Sequence, residues 1–246
     1  MGAFVFNDRM KRFWMTSAAA CLLLALAPGA ASAAIVEVGA TASPLISPVC
    51  PAGVSQVNCT IVLTQVTALE AARDGVAYPT TITKPGLVVG LSLGISALSS
   101  NAATVASDIK YLNGTYGGAP QAQLTVLRPV GRRSRHGWAV AAQSADFQLQ
   151  PFLGQVVQFP LTTALPVVPG EVLALTVPTW APVLSFNLSA TQFSYRQSRR
   201  AKCIHPPSSV LSQSVVGQRT RYECAYAGTR VEYSATEITT PIPGAH

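Results

Sequence analysis

Apolar and polar residues alternate with a period of two along most of the chain, the pattern of strands buried on one face. In residues 35–38, Ile35 and Glu37 point opposite to Val36 and Val38. In residues 60–66, Ile61, Leu63 and Gln65 oppose Val62, Thr64 and Val66. The same pattern predicts strands over residues 87–95, 123–128, 138–144, 156–161, 172–177, 183–188, 220–227 and 230–235. Turn dipeptides punctuate them: Pro85-Gly86, Asn113-Gly114, Gly117-Gly118, Pro169-Gly170 and Ala227-Gly228. About ten short strands at such spacing predict an all-β chain, an antiparallel β-sandwich of jelly-roll-like layout. One segment reads as helix instead, residues 67–74 with Gly75 as its stop. There Glu70 and Asp74 share a face, as two like charges on a solvated turn. Residues 96–107, rich in Ser, Ala and Asn, read as a loop.

The N-terminus breaks the pattern. Arg9, Lys11 and Arg12 precede an apolar run over residues 18–28, and Ala31-Ser32-Ala33 follows it. A basic stretch, a short apolar core and small residues make a secretory signal peptide cleaved after Ala33. The run is shorter than the roughly 20 residues of a membrane span, and no later stretch is long enough to be one. The expected organisation is a signal peptide over residues 1–33, an N-terminal extension over 34–48, one sandwich domain over 49–238 and a tail over 239–246. The protein is then secreted or displayed at the cell surface.

Composition sharpens this. Charged residues make up 11% of the chain and hydrophobic ones 49%, which excludes a disordered chain and a coiled coil. The net charge is +7; without residues 1–33 it is +5, 14 basic residues against 9 acidic, and this excess is concentrated in two clusters. One holds Arg128, Arg132, Arg133, Arg135 and His136; the other holds Arg196, Arg199, Arg200 and Lys202. Export and the absence of interleaved aromatics argue against nucleic acid. Solvated loop tips are one reading; contact of Arg132, Arg133, Arg135, Arg199 and Arg200 with an anionic cell-surface polymer is the other.

Of five cysteines, Cys21 falls in the signal peptide. Cys50, Cys59, Cys203 and Cys224 form an even set, which in an exported chain implies disulfides. Short loops favour Cys50–Cys59 and Cys203–Cys224, although pairing of N-terminal with C-terminal cysteines stays open. No cysteine and histidine spacing fits a metal, and no metal or other cofactor is expected.

Several segments form a familiar series. A cysteine pair is followed by Tyr78-Pro79, the Pro85-Gly86 turn, the strand Leu124-Thr125-Val126-Leu127-Arg128, and the turn Val167-Val168-Pro169-Gly170-Glu171 into an apolar strand. Over about residues 50–188 the chain resembles a loosely defined group of uncharacterised exported bacterial β-sandwich proteins, similar in layout to carbohydrate-binding modules. The resemblance implies a jelly-roll-like sandwich and carries over no catalytic residue.

Catalytic patterns are missing. There is no Gly-x-Ser-x-Gly turn, phosphate loop or calcium loop, and no spacing singles out two of the acids. The chain therefore reads as a non-enzymatic module, with a glycan or cell-wall polymer as its partner. Sugar recognition uses exposed aromatic faces, and Tyr111, Tyr116, Trp138 and Trp180 are the candidates. A structural envelope or assembly subunit that self-associates through charge-poor strands is the second reading. A hydrolase whose carboxylates meet only in the fold is the third.

Overall fold

The alternating segments fold into two packed antiparallel sheets. In this computed structural model, residues 33–54, 59, 61–131, 137–200, 203 and 210–240 are described. The strands are β1 (Ile35–Val38), β2 (Leu63–Arg73), β3 (Val76–Ala77), β4 (Gly86–Gly94), β5 (Gln121–Pro129), β6 (Gly137–Gln143), β7 (Phe147–Gln148) and β8 (Val156–Val167). They continue as β9 (Val172–Ala181), β10 (Leu184–Phe186), β11 (Ser194–Gln197), β12 (Arg219–Arg221), β13 (Cys224–Ala227), β14 (Thr229–Val231) and β15 (Tyr233–Thr239). A helix, α1 (Ala102–Tyr116), joins β4 to β5.

The smaller sheet has the order β1-β15-β4-β8. The larger runs β12-β6-β5-β9-β2-β11-β13, with β3 beside β2 and β7 beside β5, while β10 and β14 form a ribbon. Every pairing is antiparallel. Between the sheets, Val88, Leu91 and Leu93 of β4, Phe159 of β8 and Tyr233 of β15 share one core with Leu124 and Val126 of β5 and Leu175 of β9. On the far face of the larger sheet a second cluster holds Leu69, Leu127, Trp138, Val172, Ala174 and Tyr222. Strands β2, β5 and β9 are thus covered on both faces. The fold is an antiparallel β-sandwich with about fifteen strands rather than ten. The expected segments 220–227 and 230–235 each divide in two, and β3, β7 and β11 are additional.

Two local expectations are corrected. Residues 67–73 are strand and Asp74 begins a turn; none of the segment is helix. Ala, Leu and Glu favour a helix in isolation, but both faces of this stretch are buried and its neighbours β9 and β11 take its backbone hydrogen bonds. Tertiary cover outweighs a propensity difference of tenths of a kcal/mol per residue. Conversely α1 takes up the second half of the expected 96–107 loop, and Asn113-Gly114 lies inside this helix rather than in a turn.

Both disulfides pair by the shorter route, Cys50–Cys59 and Cys203–Cys224. Such bonds suit an oxidising compartment. Among the described residues, no helix is long and apolar enough to cross a membrane. Where residues 39–48 cross the sandwich end, the main chain leaves no room on β4. A Cβ on Gly94 would lie 1.8 Å from the Ile46 carbonyl oxygen, so only glycine fits.

The strand ending in Arg128 and the Pro169-Gly170-Glu171 turn meet as one ion pair. Arg128 donates from Nε (2.9 Å) and Nη2 (2.7 Å) to Glu171 Oε1, and the Val168 N–H donates to Glu171 Oε2 at 3.0 Å. Glu171 is buried while Arg128 is mostly exposed. The carboxylate therefore acts chiefly by satisfying the turn and fixing where β9 begins. Replacing Glu171→Ala should cost about 1–3 kcal/mol, the price of an unmade buried hydrogen bond. Urea unfolding should show a lower midpoint with an unchanged slope.

Candidate functional site

Helix α1 starts because Asn101 accepts hydrogen bonds from the N–H groups of Ala103 (2.9 Å) and Thr104 (3.1 Å), which satisfies two of its orphan donors. It stops at Gly117, whose φ of 83° closes the last turn. Val105, Ile109, Leu112 and Tyr116 recur along one face and pack on a cluster containing Ile61, Leu98 and Trp180. None of the helix residues is fully buried. The C-terminal end is pinned by Trp180, whose indole N–H lies 3.0 Å from both Asn113 Oδ1 and the Gly118 carbonyl.

A helix held at its ends and only half seated leaves space beneath it. A cleft of about 370 Å³ opens between α1 and the Cys50–Cys59 disulfide. Ile61, Val62, Leu98 and Leu112 give it apolar walls, and Thr104 and Asp108 supply a hydroxyl and a carboxylate. Tyr111 lines the same cleft and is 66% exposed, so its ring stands at the mouth. Across Cys50 and Leu98 lies a second cleft of about 520 Å³, lined by Val49, Val54, Ser96, Ser99 and Ser100 among others. Apolar walls, a few polar groups and this size are what small-ligand sites have in common.

The four aromatic candidates separate. Tyr111 faces the cleft, and Tyr116 is half-buried in the seam under α1. Trp180 is 0% exposed and has no free face, so it anchors the helix instead of meeting a ligand. Trp138 packs in the far-face cluster with its ring centroid 6.4 Å from that of Tyr78. Of the basic candidates, Arg132, Arg133 and Arg135 lie outside the described residues. Arg199 is buried, donating from Nε to Gln197 Oε1 at 2.8 Å, which removes it from any polymer surface; Arg200 is exposed.

Sequence reading missed the cleft because it took this region for loop and turn. The available signal was Asn101 as a cap, followed by apolar residues at helical spacing from Val105 to Tyr116. Among the described residues, no group of three or more His, Cys, Asp or Glu is placed to hold a metal.

Two acids do meet inside the fold. Glu70 and Glu232 are both fully buried in one cluster with Arg73 and Arg230. Arg73 Nε is 3.5 Å from Glu70 Oε2, and Arg230 Nε is 3.2 Å from Glu232 Oε2. Raised carboxyl pKa values are one mark of a catalytic pair, and burial raises both of these. Hydrolysis also needs substrate to reach them, and neither carboxyl group lines any of the clefts described.

Burial pushes the Glu70 carboxyl up to about 8, against the opposing pull of Arg73, the Val231 N–H and Arg230. The folded protein then keeps a proton that the unfolded chain releases near the ordinary value of 4.5. With fewer protons bound in the unfolded state, stability falls as pH rises from about 4.5 to about 8. Glu70→Gln removes this titration while keeping an acceptor for Val231. Urea unfolding across that range should show a shallower decline for the variant, and equal slopes would rule Glu70 out as the titrating group. Compared with known proteins, the chain matches no family model, no curated protein and no solved structure.

Proposed function

We propose that the protein is a non-catalytic binding module that acts outside the cytoplasm and holds its ligand in the cleft under α1. The observation that carries this reading is the cleft itself, an apolar space of about 370 Å³ with Tyr111 at its mouth and Asp108 and Thr104 inside. The two disulfides and the secretory pattern of residues 1–33 support the location. The ligand class that fits best is a glycan of the cell wall or cell surface whose sugars carry apolar substituents. A pyranose face stacks on Tyr111, substituents such as acetamido methyls enter the apolar walls, and sugar hydroxyls donate to Asp108.

A second reading rests on a different surface. On the outer face of the smaller sheet, Ile35, Ile238, Leu87 and Pro166 stand in one cross-strand register. All four are exposed and make an apolar row across four strands. Edge strand β8 is blunted by Pro160 and Pro166, whereas β1 has no proline. This surface suits a structural subunit that associates with copies of itself.

Retention of purified protein on insoluble peptidoglycan and chitin, against cellulose, at low and high salt, tests the first reading. Binding to an N-acetylated polymer should resist salt and fall about tenfold in Tyr111→Ala, the loss of roughly 1.4 kcal/mol of stacking. Retention that Tyr111→Ala leaves unchanged, or none at all, would defeat it. Retention that high salt abolishes points to basic residues and an anionic polymer instead. For the second reading, sedimentation should show concentration-dependent oligomers that Ile35→Asp with Leu87→Asp disperses. A monomer at all concentrations would exclude it.

A further inference from the structure

At the other pole of chemistry from the apolar cleft, a small polar pocket of about 150 Å³ opens where residues 39–45 cross the sandwich. Arg73 and Arg230 line it, yet they are only 1% and 4% exposed. The two guanidinium groups are used differently. Arg73 is committed to the main chain. Its Nη1 donates to the Gly39 carbonyl at 2.6 Å, and its Nη2 to the carbonyls of Val231 (3.0 Å) and Tyr233 (2.9 Å). Arg230 donates from Nη2 to the Ser43 carbonyl at 3.1 Å, and its Nε faces Glu232. Among the described residues no acceptor is bonded to Arg230 Nη1. A guanidinium whose Nη1 has no protein acceptor, at the wall of a polar pocket, has N–H donors to offer a guest.

We propose that this pocket binds a small oxyanion, a carboxylate, phosphate or sulfate group, through the free donors of Arg230. Charge supports it. The charged groups lining the pocket are Arg73, Arg230 and Glu37, an excess of one positive charge. Behind the arginines, burial holds Glu70 largely protonated at neutral pH, while Glu232 faces Arg230 Nε at 3.2 Å and leaves its Nη groups to the pocket side. Asp74 lies outside the lining and is occupied by Ser43, which donates to it from its N–H (2.8 Å) and its hydroxyl (2.6 Å). Glu37 is the opposing charge within the lining. It accepts from the hydroxyls of Ser234 (2.5 Å) and Thr236 (2.8 Å), which hold it at the pocket wall. The dimensions limit the guest to a free small anion or the acidic end group of a larger molecule. A guanidinium fork suits an oxyanion better than chloride, because two N–H groups meet two oxygens.

The alternative role for Arg230 is that of a clamp holding Ser43, which predicts no preference among anions. Heat unfolding distinguishes the two. The protein is titrated with low millimolar sodium phosphate, sodium sulfate or sodium acetate, each against sodium chloride at equal ionic strength. At least one oxyanion should raise the melting temperature saturably where chloride does not. Comparing acetate with phosphate and sulfate tells a planar carboxylate from a tetrahedral group. Arg230→Gln should lose the shift. Glu37→Gln, a change at an exposed side chain, removes the opposing charge and should lower the half-saturating concentration several-fold. Equal shifts in chloride and in every oxyanion would overturn the proposal, as would a shift that persists in Arg230→Gln. If that variant does not fold, an unchanged half-saturation in Glu37→Gln overturns it. Tyr111→Ala, in the separate cleft, should leave the response intact, so failure of one site is distinguishable from failure of the other.

Discussion

Between β14 and β15 the chain leaves the β10 ribbon for the smaller sheet, and backbone groups at the crossing point into the core. Glu70 and Arg73 of β2 meet them. Glu70 Oε1 accepts from the Val231 N–H at 2.6 Å, and Arg73 donates to the carbonyls of Val231 and Tyr233. Tyr233 returns the tie by donating from its hydroxyl to the Leu173 carbonyl at 2.9 Å and accepting from the Glu70 N–H at 3.3 Å. Two sheets that meet through apolar side chains are thereby joined by polar bonds as well. Burying these charges gives little stability compared with a well-packed apolar substitute. What the arrangement secures is register. A one-residue slip of β2 would put Leu69 where Glu70 stands and leave the crossing's N–H and carbonyls unsatisfied, at about 1–3 kcal/mol each.

The same demand for satisfied groups shapes the far face of the larger sheet. Thr125 and Thr67 flank Thr176 across β5, β9 and β2, with hydroxyl oxygens 2.7 and 2.8 Å apart. Gln143 of β6 donates to Thr125 Oγ1 at 2.9 Å. This polar ladder is sealed by residues 210–218. The Gln213 N–H donates to Thr67 Oγ1, its carbonyl accepts from Gln143, and its side-chain oxygen accepts from the Tyr222 hydroxyl. The stretch is tied to strand backbone, by Leu211 N–H to the Gln65 carbonyl and Gly217 N–H to the Val140 carbonyl, and the Cys203–Cys224 bond closes the loop from which it comes. Covered on both faces, the central strands have little use for solvated charge, which is consistent with the chain's low charged fraction.

Strands were legible where apolar and polar positions alternate, as in β1, because period two survives in the sequence. Cover on both faces did not hide β5 and β9, where the expected segments 123–128 and 172–177 lie, but it hid the second half of β2. In β2 the pattern flattens into a run of Ala, Leu and Glu that a helix would equally accept, and only its neighbours decide. Loop length favoured the disulfide partners that the fold adopts, and left the rival pairing open. The cleft was not legible, because it is made by residues near 50–62, 98 and 104–112, and no local pattern announces that these meet. The buried arginines were hidden for a related reason. Arg73 and Arg230 look like any surface cations until the crossing of the sheets supplies carbonyls for them.

Helix α1 contributes no fully buried residue, so the core does not require it. It is nonetheless capped by Asn101, ended at Gly117, tied to the indole of Trp180 and faced by a disulfide. Such local restraint on an element that the core can spare places a surface segment accurately on a rigid scaffold. The position also explains why the cleft stays open. Val105, Ile109 and Leu112 reach the cluster of Ile61 and Leu98 from one side only, so the helix bridges this apolar ground without filling it. Closing the gap would take larger side chains at Thr104 and Asp108, and those two positions carry the hydroxyl and the carboxylate that give the space its polar contacts. The packing that the core forgoes here is the same space that a ligand would occupy.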